Sequence, residues 1–284
     1  MLIVGCGDLG RVLAARARAA GRPVHCLVGS EESAVELRRQ DYPAAACDLD
    51  REAPDLSPEL VADGIFYLAP PPSSGTLDPR LARFLAALPA GSGPRIVYIG
   101  TTGVYGDCGG DWVDETRPIN PQVDRARRRA DAERQLQAWR GAGGGELVIL
   151  RVAGIYGPGR LPLERLRRGV PMVGEDEAPW TNRIHIEDLA SVCEAAMTRG
   201  GDGEVYNVSD GSPGNMRDYF DRVADLFGLP HAPLVRLAEA EGTLSAGLLS
   251  YLGESRRLDN RKMLRELGVE LRYPDLARGL PGCR

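Results

Sequence analysis

With 284 residues, 43% of them apolar, the chain can bury a sizeable core, as one large domain or as a large domain with a smaller companion. A formal net charge of −5 argues against nucleic acid or an anionic membrane as a partner, and no apolar run approaches membrane-spanning length. Cys6, Cys26, Cys47, Cys108, Cys193 and Cys283 form no C-x-x-C pair and have no histidine at ligand spacing, so buried reduced thiols are expected and a metal site is not.

The chain opens directly on a strand, Leu2-Ile3-Val4, from which no signal peptide and a cytoplasmic location are expected. Gly5, Gly7 and Gly10 follow in a G-x-G-x-x-G spacing, and Leu9, Val12, Leu13, Ala14 and Ala17 recur at helical spacing up to Gly21. The glycines have separate tasks: Gly5 makes the turn, Gly7 lets backbone N–H groups approach a pyrophosphate, and Gly10 lets helix pack on strand. Asp8, Leu9 and Arg11 lie in the same turn and count as candidate cofactor contacts. A second strand is expected over Pro23 to Val28. The acid that would hold a ribose 2′-OH at its end is missing, because the chain reads Leu27-Val28-Gly29-Ser30 there. NADP(H) is therefore favoured over NAD(H), with Ser30, Arg11, Arg38 and Arg39 as candidate donors to the 2′-phosphate. Arg38 and Arg39 read equally as the solvated end of a helix that begins near Glu31.

Tyr42 to Cys47 is a third strand ending in Asp48-Leu49, where the acid either accepts from the adenine amino group or caps a turn. Gly64 to Ala69 is an apolar run suited to a parallel strand covered on both faces. Leu68, Ala69 and Pro70 stand at its carboxyl end, where cofactors sit in open α/β folds. A helix is expected over Leu77 to Leu88, a fifth strand over Arg95 to Ile99, and a helix ending near Gly141. In that helix Arg125 to Arg134, interspersed with acids, read as a solvated face. Glu146 to Val152 is a sixth strand, Leu161 to Gly169 a helix, and Ile184 to Thr198 another, with His185 and Asp188 capping and packing at its start. Glu204 to Val208 is the last core strand. Beyond Gly211 lie an amphipathic Met216 to Phe227, an Ala/Leu-rich Leu234 to Leu252, and a helix over Leu258 to Leu267 stopped by Gly268. The fold expected is α/β: an NAD(P)-binding Rossmann domain, doubly wound on a mainly parallel sheet (1–156 and 181–210), with a small carboxyl-terminal lobe (157–180 and 211–284).

Several blocks stand in a recognisable order: Gly100-Thr101-Thr102-Gly103-Val104-Tyr105-Gly106, Glu115-Thr116-Arg117-Pro118, Leu150-Arg151-Val152-Ala153-Gly154-Ile155-Tyr156-Gly157-Pro158, Arg183-Ile184-His185-Ile186-Glu187-Asp188, and Val205-Tyr206-Asn207-Val208-Ser209. Over residues 1 to about 210 the chain resembles the extended short-chain dehydrogenase/reductases, the nucleotide-sugar epimerases and dehydratases. The resemblance puts Thr101 in the place of the family's active-site Ser/Thr and Tyr105 in its Val-Tyr-Gly turn, normally a packing residue and here also a candidate for the cleft, as is Tyr156. It also exposes a departure. The family works with a Tyr-x-x-x-Lys pair, and when Glu133 is matched to the acid that follows it, Arg125 occupies the tyrosine position and Arg129 the lysine position. A guanidinium stays protonated at working pH, so Arg125 cannot replace the tyrosine as acid and base, while Arg129 can still offer fixed positive charge to a ribose or phosphate. Such losses characterise the atypical branch of the superfamily. The resemblance implies an NAD(P)-dependent oxidoreductase or epimerase acting on a small polar, sugar-like substrate, with Thr101, Tyr105 and Arg129 as the candidate catalytic residues. The alternative is a non-catalytic NADP(H)-binding sensor or partner subunit. Extended members often pair through the helices matching Leu77–Leu88 and Arg125–Arg140; an arginine-dense second helix offers a poor apolar stripe, so a monomer or weak homodimer is expected.

Overall fold

A seven-stranded parallel sheet carries the molecule, in the order Val205–Val208, Glu146–Val152, Arg95–Ile99 (β5), Ile65–Tyr67 (β4), Leu2–Val4 (β1), His25–Val28 (β2) and Ala44–Ala46 (β3). The computed structural model describes residues 1–284, apart from the side chain of Ala246. Register follows from the period of two along each strand. Ile3 in β1 and Val97 and Ile99 in β5 face one core, while Leu2, Val4, Ile96 and Tyr98 face the other. The first core is closed by helices Asp8–Ala19 (α1), Glu31–Arg39 (α2) and Ile186–Arg199, through Leu13, Ala17, Leu37, Leu189 and Cys193. The second is closed by the short helix Pro58–Val61 (α3) and by Pro79–Ala86 (α4) and Asp124–Gly141 (α5), through Val61, Leu81, Phe84, Ala132 and Leu136.

Most elements lie where the apolar pattern puts them, and the ends are set by caps. Asp78 accepts from the Leu81 N–H at 3.1 Å ahead of Pro79, which starts α4 two residues later than its apolar pattern does. His185 caps its helix by accepting from the Glu187 N–H at 3.2 Å, and Asp188 accepts from the Arg272 and Tyr273 N–H groups at 2.9 and 2.8 Å. His185 therefore caps as expected, while Asp188 packs, tying its helix to the carboxyl-terminal segment. Ile184, counted with that helix from its spacing, lies instead in a strand, Arg183–His185, paired with Gly154–Tyr156. Helix α3 forms between the third strand and the Gly64 to Ala69 run, where the apolar pattern marks no element. The Ala/Leu-rich stretch divides into Leu234–Val235, a 3-10 turn at Leu237–Gly242 and helix Ala246–Leu252.

A third core gathers Tyr156, Leu166, Met172, Val173, helix Met216–Phe227 and residues up to Cys283. All six cysteines are buried free thiols, as their spacing suggests. Among the described residues no group of His, Cys, Asp and Glu could hold a metal ion, and no helix is long and apolar enough to cross a membrane.

Candidate active site

The chain winds from β1 outward through β2 to β3, then returns past β1 to β4 and β5. That reversal opens a crevice at the carboxyl end of β1. Gly5 turns there with φ +87°, and a Cβ on it would lie 2.6 Å from the Ala69 backbone, so the turn presses against the strand β4 exit. A Cβ on Gly10 would come within 3.2 Å of the Cys6 sulfur and the Gly5 carbonyl, which fixes the close approach of α1. At Gly7 a Cβ would meet nothing within 4 Å, so the backbone there faces open space at the α1 N-terminus. Gly5 and Gly10 thus make the turn and the close packing that their spacing indicates, and Gly7 leaves the helix N-terminus open.

Around this turn the other candidate cofactor contacts are placed as follows. Leu9 is buried and packs in the first core. Asp8 is exposed and pairs across the crevice with Arg160. Leu68 and Ala69 form the wall against Gly5, and the Pro70 carbonyl accepts from Arg80 at 3.0 Å. Ser30 caps α2 by accepting from the Ser33 N–H at 3.3 Å. Arg11 is tied to Glu36 at 3.0 Å and Gln40 at 3.1 Å, and Arg38 to Glu31. Asp48 caps the turn ahead of Asp50 at 3.0 Å, with Leu49 buried beside it.

From the ends of β5 and of Glu146–Val152 a cleft of about 830 Å³ runs toward the third core. Its walls include Thr101, Arg125, Arg128 and Arg129 on one side and Arg165, Arg183, Tyr219 and Tyr251 on the other. Thr101 lies two residues past β5 and caps the 3-10 turn Thr102–Tyr105, its Oγ1 accepting from the Gly103 N–H at 3.2 Å. Arg129 donates to the Tyr98 hydroxyl at 3.2 Å and the Ile99 carbonyl at 3.1 Å, so its guanidinium is anchored at the end of β5. Burial pushes the Tyr98 phenol up to about 12, against the pull of Arg129. Arg125 lies under the Tyr251 ring at 3.9 Å and reaches Glu254 at 3.5 Å. Arg183 stacks on Tyr219 at 4.3 Å, and burial lowers its pKa.

Two expectations are corrected here. The Arg125–Arg134 stretch is not a solvated face: Arg128, Asp131 and Glu133 are buried, and Arg125, Arg128 and Arg129 line the cleft. A run of alternating charge looks solvated only while its partners on other elements are unknown. Tyr105, a candidate catalytic residue, does not line the cleft. It is buried, donates to Asn207 Oδ1 at 2.8 Å and accepts from Arg151 at 2.9 Å. Burial raises its phenol to about 12. Tyr156 is likewise enclosed, with its hydroxyl 3.4 Å from the Asp275 carbonyl.

Tyr105 belongs to a network absent from any single motif. Arg151 holds Glu133 of α5 at 2.7 Å, and Asn207 donates through its N–H to Glu115 at 2.7 Å and through Nδ2 to the Val113 carbonyl at 3.0 Å. Burial opposes the Arg151 charge, but the Glu133 bonds outweigh it and hold the guanidinium firmly protonated. Segments far apart in sequence thus meet in one buried network, which is tied to α5 through Glu133.

Comparison with known proteins agrees with this architecture. Residues 79–209 match the model of the NAD dependent epimerase/dehydratase family. The chain is similar to that family over this stretch, a little under half of its length. It is 29% identical to protein YeeZ of Escherichia coli K12, with 96% of each chain covered. A conserved protein of unknown function from Silicibacter pomeroyi superposes with a TM-score of 0.84 at 33% identity, over 98% of this chain and 95% of that one. A dTDP-glucose 4,6-dehydratase from Streptomyces venezuelae, solved with NAD bound, shares the fold at a TM-score of 0.77 and 22% identity, over 100% and 95%.

Sequence reasoning did not find Arg128, Arg160, Arg165, Arg183, Tyr219, Tyr251, Glu254 or Arg256, all of which line the cleft. Those in the carboxyl-terminal part carry no local spacing signal; only the packing of the third core brings them to the sheet.

Proposed function

We propose that the chain is an NADP(H)-preferring oxidoreductase or epimerase-like enzyme acting on a small polar, sugar-like substrate in the cleft beside Thr101. The observation that carries this is adjacency: Arg160 of the cleft wall pairs with Asp8, the residue after Gly7, so the space open at Gly7 borders a cleft walled by residues from both the sheet and the third core. The residues that would hold the cofactor are the backbone from Gly5 to Gly10 at the pyrophosphate, Leu68 to Pro70 along its middle, and Arg129 at the nicotinamide ribose. When bound, the cofactor supplies a hydride acceptor or donor at nicotinamide C4. Thr101 orients a substrate oxygen by a hydrogen bond and passes its proton to water, and the lobe side of the cleft excludes solvent.

Preference for NADP(H) rests on Val28 and Gly29, where no carboxylate opposes a 2′-phosphate and Gly29 leaves open space. Titration with NADPH and NADH tests both claims. NADPH binds more tightly in the parent, Val28→Asp reverses the order, and Gly7→Trp abolishes binding by filling the pyrophosphate space. Binding that survives Gly7→Trp removes the assignment; equal affinities in the parent remove the 2′-phosphate pocket.

A second reading, a non-catalytic NADP(H)-binding sensor or partner subunit, draws support from α5, which turns arginines to the cleft and contains no tyrosine or lysine. General acid–base help of roughly 10²–10⁴-fold is then forfeited, so turnover of ordinary sugar nucleotides is slow or absent. Self-association fits the same helix. Its outward groove mixes Arg127 and Arg134 with Leu77 and Ile119, and this supports a monomer or weak homodimer, read by light scattering at micromolar concentration.

A further inference from the structure

Of the arginines lining the cleft, three come from little more than one turn of α5: Arg125, Arg128 and Arg129. Their neighbours on the helix are neutralised, Arg127 by Asp124 at 2.9 Å and Arg134 by Asp131. Among the described residues no carboxylate pairs with Arg128 or Arg129. Arg129 hydrogen-bonds only to the neutral oxygens of Tyr98 and Ile99, and the buried Asp78 carboxyl near it feels its charge without pairing with it. Arg128 is 7% exposed, donates through Nη1 to the Gly75 carbonyl at 2.6 Å, and has a buried Nε with no partner. Glu254, the one carboxylate on the cleft wall, is already bound to Arg256 at 2.8 Å and serves Arg125 at 3.5 Å. A buried cation without a counter-charge is costly, and guanidinium groups match carboxylate and phosphate oxygens in geometry.

Resting on the reading above, that the reaction takes place beside Thr101, we propose that the substrate carries an oxyanion close to its reacting carbon, a carboxylate or a phosphate ester, held by Arg128, while Arg129 stays at the nicotinamide ribose and adds positive charge beside it. The substrate class is then a sugar acid or sugar phosphate in place of a neutral sugar ring. The cofactor's own phosphates do not account for the pair. The pyrophosphate belongs to the glycine turn after β1 and a 2′-phosphate to the end of β2, whereas Arg128 and Arg129 flank the end of β5.

The test uses the full chain with saturating NADPH and three probes at equal ionic strength: glucuronate, glucose 6-phosphate and glucose. At least one of the two anions raises the melting temperature and binds about tenfold or more tightly than glucose, and which one does so tells carboxylate from phosphate. Raising the salt concentration weakens that preference. Arg128→Gln removes it, and Arg128→Lys, which keeps the charge, restores part of it; circular dichroism checks that both are folded. Should Arg128→Gln fail to fold, the preference of the parent and its salt dependence decide the matter alone. Equal binding of all three probes, no response to either anion, or a preference that survives Arg128→Gln overturns the proposal. Absence of NADPH binding, by contrast, overturns the underlying reading, and an anion preference seen without it leaves the arginine site standing by itself.

Discussion

Thr101 and Tyr105 stand four residues apart in one sequence block, yet they face different surroundings. Thr101 looks into the cleft, while the Tyr105 phenol is locked between Asn207 and Arg151. A substitution at each therefore reports on a different property. Tyr105→Phe leaves the buried Asn207 Oδ1 and an Arg151 N–H without a partner, at a cost of about 1–3 kcal/mol in stability, and NADPH affinity holds. Thr101→Val keeps the shape, loses the cap on the Gly103 N–H for about 1 kcal/mol, and lowers kcat with any substrate that turns over. Urea denaturation and NADPH titration of both variants check the pair of statements. Weakened NADPH binding in Tyr105→Phe with unchanged stability would place that phenol at the site after all.

At the scale of elements, helix α5 is where sequence and structure diverge most. Strand β5 was legible to the residue, because an apolar run between Pro94 and Gly100 has one reading. Helix α5 was legible as a helix but not as a wall of the cleft, since the partners of its buried charges lie on Glu146–Val152, at Gly75 and Asp78, and at Glu254. The turn itself was legible because Gly5 and Gly10 answer local steric demands. The lobe side of the cleft was not, since no short-range period encodes a packing made between distant segments. The Glu133–Arg151 pair turns this into a prediction. Both members are buried and held at 2.7 Å, so Glu133→Ala leaves an uncompensated guanidinium, costs about 3–5 kcal/mol and loosens the orientation of Arg125 and Arg129. Replacing Glu133 and Arg151 together by Gln and Met costs less than Glu133→Ala alone. Chemical denaturation of the two variants tests the ordering, and equal losses would mean that the pair contributes nothing beyond side-chain packing.

For the whole molecule, the join between the sheet and the third core contains acids that the fold keeps from water, and this gives stability a pH dependence. Asp210 follows the last sheet strand, accepts from the Ser212 N–H at 3.0 Å, and has a buried Oδ2 with no partner. Burial pushes its carboxyl up to about 7, opposed by the Ser212 N–H and by Arg183. An unfolded aspartate titrates near 3.9, so between roughly pH 4 and 7 the folded state binds more protons than the unfolded one. Stability from this group accordingly falls as pH rises through that window and levels off above it, with a limiting slope of about 1.4 kcal/mol per pH unit. His185 at the same join acts in the opposite sense. Burial lowers its pKa, so the unfolded state binds the extra proton just below about 6.5 and stability rises with pH there. The two trends overlap, and a single profile of the parent cannot separate them. Asp210→Asn can, because the amide keeps the acceptor for Ser212 and its unpaired N–H is a penalty independent of pH. Measured by urea denaturation at pH 5, 6, 7 and 8, Asp210→Asn gains on the parent at each step up to about pH 7 and runs parallel beyond it. Profiles parallel throughout would mean that Asp210 titrates in the folded protein as it does in the unfolded chain, and that the join is wet.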